Sequence, residues 1–124
     1  MMTRDIMLKE VVTTYGNVPV KEVIDLLFRR HIGSVVVIDD DQHCLGIFTE
    51  RDAIRIVAQD LPLNATVEKI MTKNLFTVDE NSTFEEAKKI IKLNKIRHLP
   101  VTNSDGKLVG LISVRQILND ICEL

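Results

Sequence analysis

The sequence lacks tryptophan and is poor in aromatic residues, which make up 4% of the chain. Proteins that bind single-stranded nucleic acid stack the bases on aromatic side chains, so this composition argues against such a platform. A basic excess is missing too, because 16 lysine and arginine residues face 18 acidic ones, for a net charge of -2. Binding to a phosphate backbone usually needs that excess, so nucleic acid is not the expected partner, although a local basic pocket is compatible with these numbers.

Cysteines and long apolar runs are also scarce. Cys44 and Cys122 lie far apart and form no C-x-x-C motif, which indicates a reduced, cytoplasmic setting. No apolar run approaches the ~20 residues that cross a bilayer, and the start M-M-T-R-D-I does not resemble a signal peptide. We therefore expect a cytoplasmic protein without a membrane partner.

Motifs for catalysis and for metal binding are missing from the sequence. The histidines and cysteines show no metal-ligand spacing, and no G-x-x-x-x-G-K-[ST] phosphate loop is present. Glu50 and Asp52 lie two positions apart on a predicted helix and face different directions, so they form a poor acid–base pair. We expect no enzyme activity, no metal site and no required cofactor.

The most informative feature of the chain is an internal duplication. Identical residues align at a constant shift of 64 without gaps, including Ile6 with Ile70, Glu22 with Glu86, Gly46 with Gly110 and Arg51 with Arg115. Apolar positions coincide as well, for example Leu26 with Ile90. The duplication predicts two similar repeats, residues 6–65 and residues 66–124, joined through a linker that contains Pro62.

Each repeat reads as the same order of elements, β-α-β-β-α. The predicted first strands are residues 11–14 and 75–78, the first helices 20–30 and 84–92, and the closing helices 50–57 and 114–121. Ser82 and Glu85 form an S-x-x-E capping box, which predicts the start of the second repeat's first helix. The turns D-D-D-Q and N-S-D-G join two apolar strands in each repeat as hairpins. A single repeat would expose an apolar face, so we expect an α+β fold in which the two pseudo-symmetric repeats pack through their sheets.

The stretch G-I-F-T-E-R-D, residues 46–52, passes from an apolar strand into a helix. Thr49 is a natural N-cap at this point, and the unpaired backbone N–H groups of the first turn favour an anion such as phosphate. Asp52 has two interpretations that the residues alone weigh about equally. It is either the capping-box partner of Thr49 or a carboxylate that accepts both hydroxyls of a ribose.

The second repeat carries G-L-I-S-V-R-Q at the matching positions, so Gln116 stands where the first repeat has Asp52. Capping does not account for this difference, because S-x-x-Q caps a helix as well as T-x-x-D does. Ribose recognition does account for it, since a carboxylate accepts two hydroxyl hydrogen bonds more strongly than an amide oxygen does. The loss of the acid suggests that one of two related sites has decayed.

Paired β-α-β-β-α repeats that end in h-G-h-h-[ST]-x-x-D before a helix resemble the CBS domain pair, or Bateman module. The resemblance covers the chain from Ile6 to about Ile121, and Gln116 departs from the motif. It implies that an adenine nucleotide lies in a cleft between the repeats, where the acid motif of one repeat faces the start of the second strand of the other. It also implies a homodimer that pairs through its helices.

The start of the second strand differs between the repeats in the same sense as the acid motif. Arg97 and His98 suit phosphate oxygens, whereas Gly33 and Ser34 at the matching positions carry no charge. The resemblance therefore implies one working cleft, with adenine held by the early strand and by the segment ahead of the second strand, although ordinary core is an alternative for Phe76. The predicted nucleotide-binding residues are Thr49, Arg51, Asp52, Asn74, Leu75, Phe76, Lys95, Ile96, Arg97 and His98. The residues predicted for a second, weaker site are Val12, Ile32, Gly33, Ser34, Ser113, Arg115 and Gln116.

The function that these features predict is a regulatory module that senses an adenine nucleotide of the AMP, ADP, ATP or S-adenosylmethionine type. No enzyme, channel or DNA-binding domain is fused to the sequence, so we expect the module to act on a separate protein. One alternative is a ligand-free structural or assembly module that keeps only the fold. A weaker alternative is nucleic-acid binding through Arg51, Arg55, Lys95 and Arg97, which would show a steep salt dependence.

Overall fold

The computed structural model describes residues 1–122, with side chains described as far as Leu118. Helices and short strands alternate along this part of the chain, in a mixed α+β arrangement with two three-stranded sheets. The elements in chain order are α1 (Thr3–Ile6), β1 (Thr13–Tyr15), α2 (Val20–Arg30), β2 (Ser34–Ile38), β3 (Cys44–Thr49), α3 (Glu50–Ala58), α4 (Val67–Ile70), β4 (Val78–Asp79), α5 (Phe84–Asn94), β5 (His98–Thr102), β6 (Leu108–Ser113) and α6 (Val114–Cys122).

The chain forms two compact units whose bounds differ from those of the sequence repeats. The central unit is Val12–Leu75, and the terminal unit combines Met1–Val11 with the chain from Phe76 onward. The leading segment of each repeat is therefore part of the unit that contains the sheet of the other repeat. The boundary between residues 65 and 66 separates the two sequence repeats. As a division into domains, it stays a prediction.

The central unit is built on the sheet β1-β2-β3. Strand β1 is parallel to β2, with α2 as the crossover between them, and β2 is antiparallel to β3. All five residues of β2 are buried, as its unbroken apolar run S-V-V-V-I predicts for a strand covered on both faces. The largest fully buried side chain of this core is Phe48 on β3, which packs with Val35, Val37 and helix residues such as Val23 and Ile56.

The terminal unit repeats this topology with the sheet β4-β5-β6. Strand β4 is parallel to β5 and β5 is antiparallel to β6, and its core includes Leu99, Val101 and Ile112. The register shifts between Val101 and Thr102, as it does between Val37 and Ile38 at the same point of the central sheet. The duplication predicted from the sequence is therefore repeated in the details of strand pairing.

The leading segments are held by matching backbone hydrogen bonds in the two units. In the central unit Val67 N donates to Val18 O, and in the terminal unit Thr3 N donates to Ser82 O, both at 2.8 Å. Farther along each segment, an isolated antiparallel bridge joins Thr72 to Ile47 and Leu8 to Leu111. Each three-stranded sheet thus gains a short additional edge from a segment that the sequence assigns to the other repeat.

The predicted capping box of Ser82 and Glu85 is wrong. Helix α5 has Thr83 as its N-cap, and the Thr83 hydroxyl accepts a hydrogen bond from Glu86 N at 3.2 Å. Ser82 instead donates its hydroxyl to Asp79 O at 2.7 Å and shares a hydrogen bond with the hydroxyl of the buried Thr3. Its position is fixed by contact with the leading segment, which a local capping pattern does not contain.

None of the helices within residues 1–122 combines the length and the apolar character that crossing a bilayer requires.

Candidate functional site

Thr49 and Asp52 form the start of α3, as the sequence predicts for a capping box. Asp52 N donates to the Thr49 hydroxyl at 3.4 Å, and Thr49 N donates to Asp52 Oδ2 at 2.9 Å. The Thr49 hydroxyl also lies 3.3 Å from Asp52 Oδ2. The capping interpretation of Asp52 is therefore confirmed, and the second interpretation, a ribose acceptor, has to be compatible with it.

Asp52 has two further partners outside the capping box. Its Oδ1 lies 3.5 Å from Arg55 Nη2, and the hydroxyl of Thr72 donates to the carboxylate at 3.3 Å from Oδ1 and 3.5 Å from Oδ2. Asp52 is only 5% exposed. A buried carboxylate requires compensating donors or charge, and Thr49, Arg55 and Thr72 supply them within the central unit.

The corresponding place in the terminal unit lacks the same chemistry. Leu8 there forms the backbone bridge to Leu111 that Thr72 forms to Ile47, so the main chain is equivalent and the hydroxyl is absent. The half-buried Gln116 takes the position of Asp52. The sequences of the two repeats therefore differ at the acid and at two of its partners, because Thr72 aligns with Leu8 and Arg55 aligns with Asn119.

Of the other predicted residues of the central unit, Gly33, Ser34 and Arg51 lie at the start of α3. Ser34 pairs with Thr49 across the sheet, and Gly33 O accepts a hydrogen bond from Glu50 N at 3.1 Å. The Arg51 side chain is exposed. Val12 and Ile32 pack against the apolar core, which fits a structural role for both as well as the second site.

Asn74 and Leu75, predicted on the adenine side, belong to the same compact unit as Asp52. They follow Thr72 by two and three positions, and Thr72 is fixed by its bridge to Ile47 and by its hydroxyl contact with Asp52. The structure therefore places Thr72, two positions before the predicted adenine segment, in contact with the predicted ribose acid.

The remaining predicted residues belong to the terminal unit. His98 pairs with Ser113 across the sheet, and Val114 N donates to Arg97 O at 3.0 Å, so the start of β5 adjoins the start of α6. Lys95 ends α5 in the left-handed conformation with a φ of 53°. The side chains of Lys95, Arg97 and Arg115 are exposed, and Ile96 packs against the core of the unit.

Phe76 is not the core residue that one interpretation of the sequence suggested. Its side chain is 43% exposed, and Val78, two positions later, fills the core instead. An exposed aromatic ring is compatible with a role in covering a ligand base, which stays a prediction.

The sequence did not predict that Thr72 and Arg55 contact the carboxylate of Asp52. Thr72 lies outside the motif of residues 46–52, and Arg55 appeared only among candidates for nucleic-acid contact. The aligned pair Thr72 and Leu8 carried a usable signal, because it loses a polar group in the same repeat in which Asp52 becomes Gln116.

The hairpin between β2 and β3 holds a small acidic cluster of Asp39, Asp41 and His43, whose ligand atoms lie within 4.8 Å of one another. Asp39 Oδ1 accepts hydrogen bonds from Asp41 N and His43 N, both at 2.9 Å, and the bond from the His43 N–H is the largest cause that lowers the pKa of Asp39. The matching hairpin of the terminal unit uses the uncharged Asn103 in the same two bonds. Turn formation therefore explains the cluster, in agreement with the hairpin turn that the sequence D-D-D-Q predicts.

Comparison with known proteins gives matches over nearly the whole chain. A family model described as CBS domain matches twice, at residues 4–59 and 67–123. A CBS-domain containing protein from Agrobacterium tumefaciens has 33% sequence identity and a TM-score of 0.85, with 98% of this chain and 99% of that chain covered. A CBS domain protein from Pyrobaculum aerophilum, solved in complex with AMP, has 26% identity and a TM-score of 0.88, with 100% of both chains covered.

The relatives found by sequence comparison are longer proteins, and this chain spans about two thirds or less of the length of the two described here. An uncharacterized protein of Acidianus ambivalens is 35% identical over 108 residues, which are 87% of this chain and 65% of that protein. Inosine-5'-monophosphate dehydrogenase of Aquifex aeolicus is 36% identical over 108 residues, which are 86% of this chain and 22% of the enzyme. The similarity to the dehydrogenase thus concerns about a fifth of that enzyme.

Proposed function

The chain belongs to the CBS domain family, and we propose that it is a regulatory module that binds an adenine nucleotide and has no catalytic activity of its own. The observation that supports this proposal most directly is structural similarity to the CBS domain protein from Pyrobaculum aerophilum, which was solved in complex with AMP. The similarity covers the full length of both chains. The asymmetry of the two repeats supports the proposal, because the buried Asp52 and its donors exist in the central unit alone among the described residues.

In the proposed mode of binding, Asp52 accepts the ribose hydroxyls and the start of α3 favours the phosphate. The first turn of α3 presents the positive end of the helix dipole, and Arg51 on this turn adds a cation. Two of its N–H groups are already engaged, Glu50 N with Gly33 O and Asp52 N with the Thr49 hydroxyl. Asn74, Leu75 and Phe76 would contact the adenine. Arg97 and His98 would contact the phosphate oxygens of the same ligand.

The regulatory effect would follow from linkage. A nucleotide that binds one conformation of the chain more tightly than another shifts the population toward the first, by no more than the difference in binding free energy. A surface that differs between the conformations would then be read by a separate protein, in the cytoplasmic setting that the cysteine pattern predicts.

We further propose that the module forms a homodimer through its helices. Phe28 on α2 is 78% exposed, and Ile54 and Val57 on α3 are 68% and 77% exposed. Exposed apolar side chains concentrated on neighbouring helices suit association, and a second copy is the partner that the resemblance to Bateman modules implies. The identity of a regulated protein does not follow from this surface.

The ligand-free structural module is the second candidate, and one observation favours it. Asp52 already serves the helix start through Thr49 and is bonded to Arg55 and Thr72, so its burial can be explained without a ligand. Nucleic-acid binding is less favoured, because Arg55, one of the four cations predicted to contact nucleic acid, donates to Ile70 O and pairs with Asp52.

Isothermal titration calorimetry with AMP, ADP, ATP and S-adenosylmethionine tests the proposal. Asp52→Ala should weaken the best ligand by about 1.5–3 kcal/mol, the scale of hydrogen bonds to a charged group. Gln116→Ala should weaken it much less, because the second repeat lacks the acid.

An Arg97→Ala variant and the double variant with Asp52→Ala extend the same titration. If both side chains hold one ligand, Arg97→Ala should weaken the same ligand that Asp52→Ala weakens, and the double variant should bind it more weakly than either single variant. Wild-type affinity in Arg97→Ala would separate Arg97 from the Asp52 site. The absence of heat and of any thermal shift with every ligand would favour the structural module.

A further inference from the structure

Met71 lies at the point where the leading segment of the second repeat is fixed to the central unit. Its sulfur is close to the backbone of β3, because a Cβ atom in place of a hydrogen of Gly46 would come within 2.6 Å of Met71 Sδ. The side chain also packs against the buried core of the unit, which includes Phe48 and Val67. Met71 itself is half-buried, so a small oxidant meets less of a barrier here than at a fully buried methionine.

The residue that follows Met71 carries the contacts that hold this segment. Thr72 exchanges two backbone hydrogen bonds with Ile47 on β3, at 2.9 and 3.0 Å. Its hydroxyl also donates to the buried carboxylate of Asp52, at 3.3 Å from Oδ1. A displacement of the Met71 side chain would therefore act directly on a backbone bridge and on a donor to a buried acid.

Oxidation changes both the size and the polarity of a methionine side chain. The thioether sulfur attacks one oxygen of hydrogen peroxide, the O–O bond breaks, and the products are a sulfoxide and water. The sulfur loses two electrons and the peroxide gains them. The new oxygen is a hydrogen-bond acceptor, and burying it among apolar side chains without a donor is costly. Because Met71 is flanked by the β3 backbone and by apolar core, we expect the sulfoxide to move outward and to draw Thr72 with it.

Met7 provides an internal counterpart in the terminal unit. It aligns with Met71 and packs against the core of its own unit, and a Cβ atom at Gly110 would come within 2.7 Å of Met7 Cγ. Leu8 follows it and forms the bridge to Leu111, but its side chain has no hydroxyl to donate. Oxidation of Met7 would loosen a backbone bridge, whereas oxidation of Met71 would also remove a donor from a buried carboxylate.

We propose that Met71 is a site of reversible oxidation, and that its sulfoxide releases the segment around Thr72 from β3 and from Asp52. Peroxide would thereby loosen the central unit at the start of α3, and reduction by a methionine sulfoxide reductase would restore it. The inference goes beyond the proposed nucleotide function and does not depend on it, since the segment and its contacts all belong to the central unit.

Hydrogen exchange of the backbone amides before and after peroxide treatment tests the proposal. The variant Met7→Leu leaves Met71 to be oxidised, and a change between residues of similar volume preserves the packing. Dithiothreitol then reverses disulfides and sulfenic acids at the cysteines, and mass spectrometry identifies the methionines that carry an added oxygen. The amides of Ile47 and Thr72 should exchange at least about tenfold faster after oxidation, because the segment opens locally.

Met71→Leu is the matched control, because it leaves Met7 as the corresponding methionine. Peroxide treatment of this variant should leave exchange at Ile47 and Thr72 unchanged and should accelerate exchange at Leu8 and Leu111. Met1 and Met2 are present in both variants, so their oxidation does not affect the comparison.

Oxidised wild-type protein gives a readout that requires no variant, since treatment with the reductase should return exchange at Thr72 to its initial rate. Met71 that stays unoxidised under conditions that oxidise Met1, which is 74% exposed, would overturn the assignment of an oxidation site. Complete oxidation of Met71 without faster exchange at Ile47 and Thr72 would overturn the release of the segment. Equal acceleration at these amides in Met71→Leu would assign the effect to another group and refute the proposal.

Discussion

At the scale of single residues, the environment of Cys44 determines how its thiol reacts. Partial burial, with a smaller contribution from the negative charge of Asp39, raises the pKa of Cys44 to about 11. The thiolate is the reactive form, so at neutral pH this cysteine holds its proton and is a poor nucleophile.

We predict slow alkylation of Cys44 by iodoacetamide at pH 8, with the rate rising toward pH 11 as the thiolate forms. Asp39→Asn should increase the rate at a given pH, because it removes the smaller of the two causes. Mass spectrometry of the peptide that contains Cys44 follows the reaction, with the unfolded protein as the reference. Alkylation in the folded protein as fast as in the unfolded protein would contradict this account.

The contacts of Asp52 show which interactions of a residue can be predicted from the sequence. The capping of α3 by Thr49 and Asp52 was predictable, because both partners lie within one short window and the rule is local. The contacts of Asp52 with Thr72 and Arg55 were not, since Thr72 is brought there by a backbone bridge to β3. Rules for the start of a helix use only residues within a few positions, whereas Thr72 follows Asp52 by 20 positions.

At the scale of elements, Gly46 permits the close approach of the segment that carries Thr72. A Cβ atom at this position would lie 2.8 Å from Thr72 O and 2.6 Å from Met71 Sδ. Gly110 plays the same part against Leu8 O and Met7 Sδ in the terminal unit. A larger residue at either glycine would have to displace the backbone at Thr72 or at Leu8. The close packing of this backbone explains the glycine of the motif in both repeats.

We predict that Gly46→Ala lowers the free energy of unfolding by about 1–3 kcal/mol, the usual range for a side chain forced into a packed region. Gly16→Ala is the control, because the atoms nearest to its added Cβ all belong to the side chain of Glu68, with Oε2 at 2.6 Å and Cβ at 3.0 Å, and none to the backbone. Urea denaturation followed by circular dichroism measures both variants. Equal stabilities of the two variants would show that the segment at Thr72 moves aside at little cost.

Most elements were predictable because their patterns are periodic and sustained. Helix α2 has the predicted bounds, and α5 extends only two residues beyond the predicted end. The four-residue helices α1 and α4 were missed, since helices this short are stabilised by contacts elsewhere and leave little periodic signal. The short strands β1 and β4 begin later than predicted, where pairing with β2 and β5 starts.

At the scale of the whole molecule, the exposed apolar residues of α3 provide a test of self-association. We predict that Ile54→Glu converts a homodimer into a monomer, because a charge within an apolar interface has no compensating partner. Leu63→Glu, at an exposed apolar position between α3 and α4, is the control and should remain dimeric. Sedimentation velocity distinguishes the two, and a monomeric wild-type protein would refute the dimer.

The division into units was beyond the reach of the sequence for a specific reason. The alignment at a shift of 64 is the same whether a leading segment packs on its own repeat or on the other one. The bridges of Leu8 to Leu111 and of Thr72 to Ile47 are contacts between repeats, and no internal comparison of the two halves distinguishes them from contacts within one repeat.

This exchange of leading segments bears on how such a chain could be divided or could have arisen. A fragment cut at the repeat boundary would lack the piece that completes its own sheet and would carry one that belongs elsewhere. An ancestral polypeptide of half this length could satisfy both needs only as a pair of molecules that swapped their ends. Gene fusion would then have converted a reciprocal exchange between two chains into a permanent feature of one.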